Sequence, residues 1–228
     1  MARLTEKDVV VIVPAYNEEK HVGSLVKAIR REGYRVLVSD DGSRDRTVEI
    51  ALDAGAEVLA TPLNGGKGSA IRRGLQWFIG SSYEAAVLMD GDGQHAVEDL
   101  PVFLQALNTG AHLVVGDRLR DPKGMPALRR ATNLVMSGLL GAVSGARVPD
   151  SQCGYRALTR VCAQRLKLRT AHFEIESEMI LEAARAGLRV ASVPIRCLYA
   201  GQSSHIRPIR DTRRFVTFLG SYLLRGRS

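Results

Sequence analysis

Three apolar stretches early in the chain each stop at a polar, mostly acidic cluster. Val9 to Val13 runs into Pro14-Ala-Tyr16-Asn17-Glu18, Arg35 to Ser39 into Asp40-Asp41-Gly42-Ser43, and Ala85 to Met89 into Asp90-Gly91-Asp92-Gly93-Gln94-His95. Behind the first cluster, Val22, Leu25, Val26 and Ile29 recur at spacings of three and four, the mark of a helix with one buried face. A repeated order of strand, loop and helix admits few folds. Strands joined by helices pair in parallel through right-handed crossovers, and a parallel sheet needs helices on both faces. Ligands of such a sheet bind beyond the carboxyl ends of its strands, and all three clusters fall there.

The same spacing rules predict a helix capped by Ser43 or Asp45 and running to Ala54, a short strand over Glu57 to Ala60, and a helix over Ser69 to Ile79. They predict a further helix over Val97 to Leu107 and a strand over His112 to Gly116. Beyond Gly116 the alternation loosens. Helices are expected over Leu128 to Val143 and Glu174 to Ala186, and strands over Gly154 to Leu158 and Arg189 to Ile195. Asp211 is placed to cap a last helix in which Phe215, Phe218, Leu219, Tyr222 and Leu223 share one stripe. The expected architecture is a single α/β domain over 1–210, a mainly parallel central sheet with helices on both faces. A basic amphipathic helix over 211–228 follows, packed on the domain or on a membrane surface.

Composition narrows the function classes. With 45% apolar residues in 228, a packed core is expected, and 5% aromatic residues leave little for stacking single-stranded nucleic acid. Cys153, Cys162 and Cys197 have neither the even number of a disulfide framework nor the spacing of a zinc site. The opening Met1-Ala-Arg-Leu-Thr-Glu-Lys-Asp8 lacks the order of a signal peptide, and no run approaches a transmembrane span, so a cytoplasmic setting is expected. The net charge of +8 is concentrated at the end: from Arg196 onward there are seven arginines against the single acid Asp211. Such an end suits anionic partners, phosphates or lipid head groups, including peripheral contact at the inner face of a membrane. Its other reading is a solvated helix face.

Residues i and i+2 of an extended segment point the same way, so Asp90 and Asp92 are placed to share one cation, while Gly91 and Gly93 admit close approach. Gln94 adds a neutral oxygen and His95 an imidazole; the competing reading is a turn that caps the next helix. Asp41, at another strand end, suits a nucleobase N–H or a ribose hydroxyl, and Tyr16 suits the face of a base. Lys67 lies in Gly65-Gly-Lys-Gly68, which lacks the spacing of a phosphate loop and reads as a shaping loop near the nucleotide. Arg118, just past the fifth strand, places a cation at the same end.

Taken in order, Pro14-Ala-Tyr-Asn-Glu18, Asp40-Asp-Gly-Ser43, Asn64-Gly-Gly-Lys-Gly-Ser-Ala70 and Asp90-Gly-Asp-Gly-Gln-His95 resemble family 2 glycosyltransferases. Within them the chain is similar to the dolichol-phosphate mannose synthase and polyprenyl-phosphate glycosyltransferase branch, over about residues 8 to 210. The resemblance implies a GT-A, Rossmann-like fold, a UDP- or GDP-sugar donor, Mg2+ or Mn2+, and inversion at the anomeric carbon. It places the nucleoside on Pro14, Tyr16, Asn17, Glu18 and Asp41, with Lys67 nearby. Asp90 and Gly91 would face the ribose and sugar, and Asp92 and Gln94 the metal. Arg118 would meet a donor or acceptor phosphate. Asp150 to Arg156 resembles the acceptor side, and Phe173-Glu174-Ile-Glu176 the helix start behind it.

A hydroxyl acceptor needs a general base, for which Glu174 and Glu176 are the candidates, whereas a phosphate acceptor arrives as an anion and needs none. Ser203-Ser-His205-Ile-Arg207 falls where the branch carries a Ser-Lys pair that closes over the diphosphate. Arg207 is the first choice for that cation and His205 the second. The expected acceptor is a polyprenyl phosphate, with a hydroxyl acceptor as the alternative. A nucleotidyltransferase would want a glycine-rich loop with arginine after the first strand, which is missing. A basic nucleic-acid-binding module is opposed by acids along the binding edge, and no nucleic acid partner is expected.

Overall fold

The computed structural model of the protein describes residues 3–120, 122, 125–196 and 208–225. The first half runs β1 (Val9–Ala15), α1 (Val22–Arg31), β2 (Arg35–Asp40), α2 (Thr47–Asp53), β3 (Glu57–Leu59), α3 (Lys67–Gly80), β4 (Ala85–Leu88), α4 (Leu100–Asn108) and β5 (Leu113–Asp117). The second runs α5 (Ala127–Ser144), β6 (Arg156–Thr159), α6 (Arg160–Arg165), α7 (Ile175–Arg185), β7 (Val190–Pro194) and α8 (Pro208–Arg225).

The strands form one sheet in the order β3-β2-β1-β4-β6-β5-β7. β1 is buried along its whole length, as an interior strand of a sheet covered on both faces must be. Val22, Leu25, Val26 and Ile29 of α1 are buried as their spacing requires. On α3, Gly74 lets the helix lie directly on β1, since a Cβ there would meet the Ile12 side chain. Every pairing is parallel except those of β6, which runs antiparallel between β4 and β5. The reason lies in its approach. Arg156, its first residue, pairs with Leu88 and Val115 at the carboxyl ends of β4 and β5, so the chain enters from the ligand-binding end and runs back.

At the last helix two expectations change. α8 begins at Pro208, ahead of Asp211, because a proline in the first helical turn forgoes no intrahelical hydrogen bond. Phe215 and Leu219 are buried and Phe218 and Tyr222 half-buried, but Leu223 is 48% exposed and leaves the stripe. Cys197, Ser203, His205 and Arg207 lie outside the described residues; Cys153 and Cys162 are free thiols in the core. Among the described residues no helix is long and apolar enough to cross a membrane.

Candidate active site

The loops after β1 and β2 are laced together before any ligand is considered. The Asn17 N–H donates to Ser43 Oγ (2.9 Å), the Arg44 N–H to Asn17 Oδ1 (2.8 Å), and the Glu18 N–H to Thr47 Oγ1 (2.7 Å). Asn17 holds a left-handed backbone, φ 56°, which its short polar side chain tolerates. Asp40 closes its own turn by accepting from the N–H groups of Gly42 and Ser43, and Asp45 accepts the Thr47 N–H and hydroxyl at the start of α2. Pro14 is buried at the end of β1, and Tyr16 stands 42% exposed at the rim.

Asp41 has an immediate occupation that its sequence position did not reveal. Its buried carboxylate accepts from Arg73 Nη2 (2.8 Å) and from the N–H groups of Gly65 and Gly66 (3.2 and 2.6 Å), and so anchors the glycine-rich loop. That loop is a packing device. A Cβ on Gly68 would sit 2.7 Å from Ala171 C and Thr170 O, and one on Gly66 would strike Ala171 and His172. The opposing segment is held by Glu178, which accepts from the N–H groups of Arg169 and Thr170 and from the Thr170 hydroxyl.

Asp90 and Asp92 rise beside Glu18. Gly91 makes this possible, for a Cβ there would lie 3.3 Å from Pro14 O and 3.4 Å from Glu18 Cγ. Burial, and then repulsion from Asp92, Asp45 and Asp90, raises the Glu18 carboxyl to about 7. The Asp92 side of this pocket is acidic. Asp92 Oδ1 accepts the Gln94 backbone N–H (3.0 Å), which closes the segment of the expected metal seat into a tight bend. Among the described residues no three histidine, cysteine or carboxylate side chains converge as a protein-only metal cage. Mg2+-type ions in phosphate sites are held by one or two carboxylates with substrate oxygens and water, and the Asp92 side fits that donor set.

On its other side Asp90 meets Lys67, the first residue of α3. Lys67 Nζ lies 2.7 Å from Asp90 Oδ1 and 2.7 Å from Glu176 Oε1, with the Phe173 ring 5.6 Å away. Burial works against the charge on Lys67, but the two carboxylates overcome it and hold its pKa above the usual lysine range. Burial likewise opposes the Asp90 charge, yet Lys67 and His95 hold that carboxyl far below the usual carboxylate range. His95 Nε2 is 3.6 Å from Asp90 Oδ2. Gly154 leaves the room this carboxylate occupies, since a Cβ there would collide with it. Behind Glu176 the fully buried Arg156 donates to the carbonyls of Cys153 (2.8 Å), Ser151 (2.7 Å) and Glu176.

Arg118 was expected to offer a cation to phosphate. Its side chain is instead 5% exposed and forks onto Asp150, Nε to Oδ2 at 2.7 Å and Nη2 to Oδ1 at 2.9 Å. A guanidinium satisfied bidentately inside the protein ties the end of β5 to the loop before β6. Glu174 sits apart from Glu176, 4.0 Å from Arg214 of α8 and on the wall of a groove of about 570 Å³ between α7 and α8. Thus Glu18, Asp90, Gly91, Asp92, Gln94, Lys67 and Glu176 form one continuous site, with Pro14, Tyr16, Asn17 and Asp41 beside it. Sequence reasoning missed Arg73, Glu178 and the pairing of Lys67 with Asp90 and Glu176, because contacts between residues on separate elements leave no local pattern.

Comparison with known proteins adds independent findings. The family model for Glycosyl transferase family 2 matches residues 10–173. A UDP-N-acetylglucosamine–dolichyl-phosphate N-acetylglucosaminyltransferase of Methanococcus voltae is 31% identical, over 88% of this chain and 89% of that protein. A dolichyl-phosphate hexose transferase of Haloferax volcanii is 33% identical, over 86% of this chain and 85% of its own. Among solved structures, glucosyl-3-phosphoglycerate synthase from Mycobacterium tuberculosis, in complex with Mn2+, UDP and phosphoglyceric acid, superposes with a TM-score of 0.72 at 25% identity. The match covers 93% of this chain and 77% of that one.

Proposed function

The chain belongs to glycosyl transferase family 2, a nucleotide-sugar-dependent glycosyltransferase of GT-A fold, and from that premise we propose that its acceptor is a polyprenyl phosphate. The observation that carries the reading is Lys67. It pairs with both carboxylates at the inner end of the site, Asp90 and Glu176, at 2.7 Å each. Asp90 so paired is a poor proton acceptor, because taking up a proton means giving up the ion pair. A hydroxyl acceptor would need such a base, whereas a phosphate brings its own negative oxygen. The two curated relatives are named for transfer to dolichyl phosphate.

In this reading a phosphate oxygen attacks the anomeric carbon from the face opposite the leaving group. The new C–O bond forms as the old one breaks, its electron pair leaves with the nucleoside diphosphate, and the configuration inverts. Tyr16 borders the base and Asp41 stiffens the pocket floor through Gly65 and Gly66. Asp90, fixed by Lys67, faces the ribose and sugar. Asp92 and Gln94 would hold a Mg2+ or Mn2+ ion, which supplies charge neutralisation on the diphosphate. Arg118, forked onto Asp150, acts on the geometry of the loop before β6. Residues 1–210 are taken as the catalytic unit, with α8 packed against it from Pro208 onward.

A second reading has one observation in its favour: Glu176 Oε2 is buried without a hydrogen-bond partner among the described residues, as a base awaiting a hydroxyl would be. A thermal-shift panel of nucleoside diphosphates with and without Mn2+ tests the donor half, since a ligand of the native state raises its melting temperature. The expected result is a Mn2+-dependent shift for a uridine or guanosine diphosphate. No shift with any base would sink the donor assignment.

A further inference from the structure

Arg156 opens β6 and is, among the described residues, the largest side chain that is completely buried. All three of its nitrogens are engaged by main-chain carbonyls: Nε by Cys153 O at 2.8 Å, Nη2 by Ser151 O at 2.7 Å, and Nη1 by Glu176 O. Burial pulls its pKa below the usual arginine range, and Glu176 is the first of the groups that oppose the shift. A charge buried in this way is costly, and an apolar side chain of similar volume is often the more stable occupant. What the guanidinium supplies is placement, because its donors leave a rigid plane in fixed directions.

Both supports of Asp90 hang from that plane. Cys153, held through Nε, is followed by Gly154, whose missing Cβ is the space that the Asp90 carboxylate fills. Glu176, held through Nη1, carries the Oε1 that lies 2.7 Å from Lys67 Nζ, and the same Nζ lies 2.7 Å from Asp90 Oδ1. The two routes start from different nitrogens and meet on one carboxylate. The base of the fork is fixed as well, since Arg156 pairs in the sheet with Leu88, the last residue of β4 and two before Asp90. The nucleoside side is built separately. Its contacts run from Asn17 to Ser43, from Glu18 to Thr47, and from Asp41 to Gly66 and Arg73.

We propose that Arg156 is the positioning residue of Asp90, setting the depth and direction of that carboxylate against the sugar of the donor while leaving the nucleoside pocket unaffected. The inference rests on the reading of Asp90 as facing the sugar side of a nucleotide-sugar donor. Arg156 touches no substrate. It acts through the 153–154 backbone on one side and through Glu176 and Lys67 on the other.

The test is isothermal titration calorimetry with Mn2+ and no acceptor, using UDP and GDP and then the matching UDP-glucose, UDP-N-acetylglucosamine and GDP-mannose. The variants are Arg156→Lys, which keeps the charge without the planar fork, Asp90→Asn, and the two combined. Circular dichroism reads their thermal transitions first; should the lysine variant lose its transition, Arg156→Met, which removes the buried charge altogether, takes its place. Arg156→Lys should bind the nucleotide sugar about tenfold more weakly, the worth of one hydrogen bond to a charged group, and the nucleoside diphosphate less than about twofold more weakly. Asp90→Asn should show the same selective loss, and the combined variant no further loss, because the group being positioned has already been neutralised. Equal weakening for diphosphate and nucleotide sugar, unchanged affinity for both, or losses that simply add in the combined variant would overturn the proposal and leave Arg156 a packing residue. A parent protein that binds no nucleoside diphosphate overturns the donor reading and this inference with it, a result distinct from a parent that binds and a variant that matches it.

Discussion

Replacing Lys67 by methionine removes a cation bonded to two carboxylates in the site while keeping most of the side chain's volume. Each contact is 2.7 Å, and at an effective dielectric of about 20 a pair at that distance attracts by ~6 kcal/mol before desolvation is charged against it. The net loss is smaller. Removing one partner of a buried pair costs about 3–5 kcal/mol because the other charge stays behind, and Asp90, with its side chain 25% exposed and His95 nearby, retains partial relief. The expected destabilisation of Lys67→Met is therefore about 3 kcal/mol near pH 8. Lys67 is the main partner that holds the Asp90 carboxyl low, so without the ammonium the stranded carboxylate is relieved by protonation and the deficit shrinks as pH falls. Adding Glu176→Gln to Lys67→Met should recover at least about 1 kcal/mol, because one stranded charge is gone. Urea denaturation followed by circular dichroism at pH 5 and pH 8 reads all of this. A deficit below about 1 kcal/mol, or one equal at both pH values, would refute the assignment of Lys67 as the counter-ion of the site.

Other outcomes follow from the same geometry. Glu18 is raised to about 7 from 4.5, so between those values the folded protein keeps a proton that the unfolded chain has released. Its contribution to stability is greatest below pH 4.5 and is lost as pH rises through 7. Discounted for its partial exposure this is about 1 kcal/mol, and Glu18→Gln should be more stable than the parent by that amount at pH 8. Asp92→Asn should abolish the Mn2+-dependent stabilisation by the bound nucleoside diphosphate, about 2.7 kcal/mol at a hundredfold excess over Kd, while leaving the unliganded melting temperature within a few degrees. Gly68→Ala forces a Cβ to within 2.7 Å of the 170–171 backbone and should cost about 1–3 kcal/mol in a urea titration.

Much of the architecture was legible because it is written in local periodicity. β1, α1 and β2 follow from runs of β-branched residues and three-four spacing, and the acids fall at the strand ends as the topology demands. β6 was readable as a strand but not as antiparallel, since direction depends on where the preceding loop crosses the sheet. The acidic residues of the site were visible as a motif, and the partners that set their charge were not. Lys67 and Glu176 lie on different helices, and neither carries a neighbouring signal for the other. The fork of Arg118 onto Asp150 was hidden for the same reason, since the partner lies 32 positions away.

The central claim is that the acceptor supplies the negative charge and the protein supplies no base. It is tested by following label from a UDP- or GDP-sugar to a polyprenyl phosphate and, in parallel, to the corresponding unphosphorylated polyprenol, with Mn2+ and with chelator. The account predicts metal-dependent transfer to the phosphate and none to the alcohol, with Asp92→Asn inactive. Transfer to the alcohol at a comparable rate, abolished by Glu176→Gln, would contradict it.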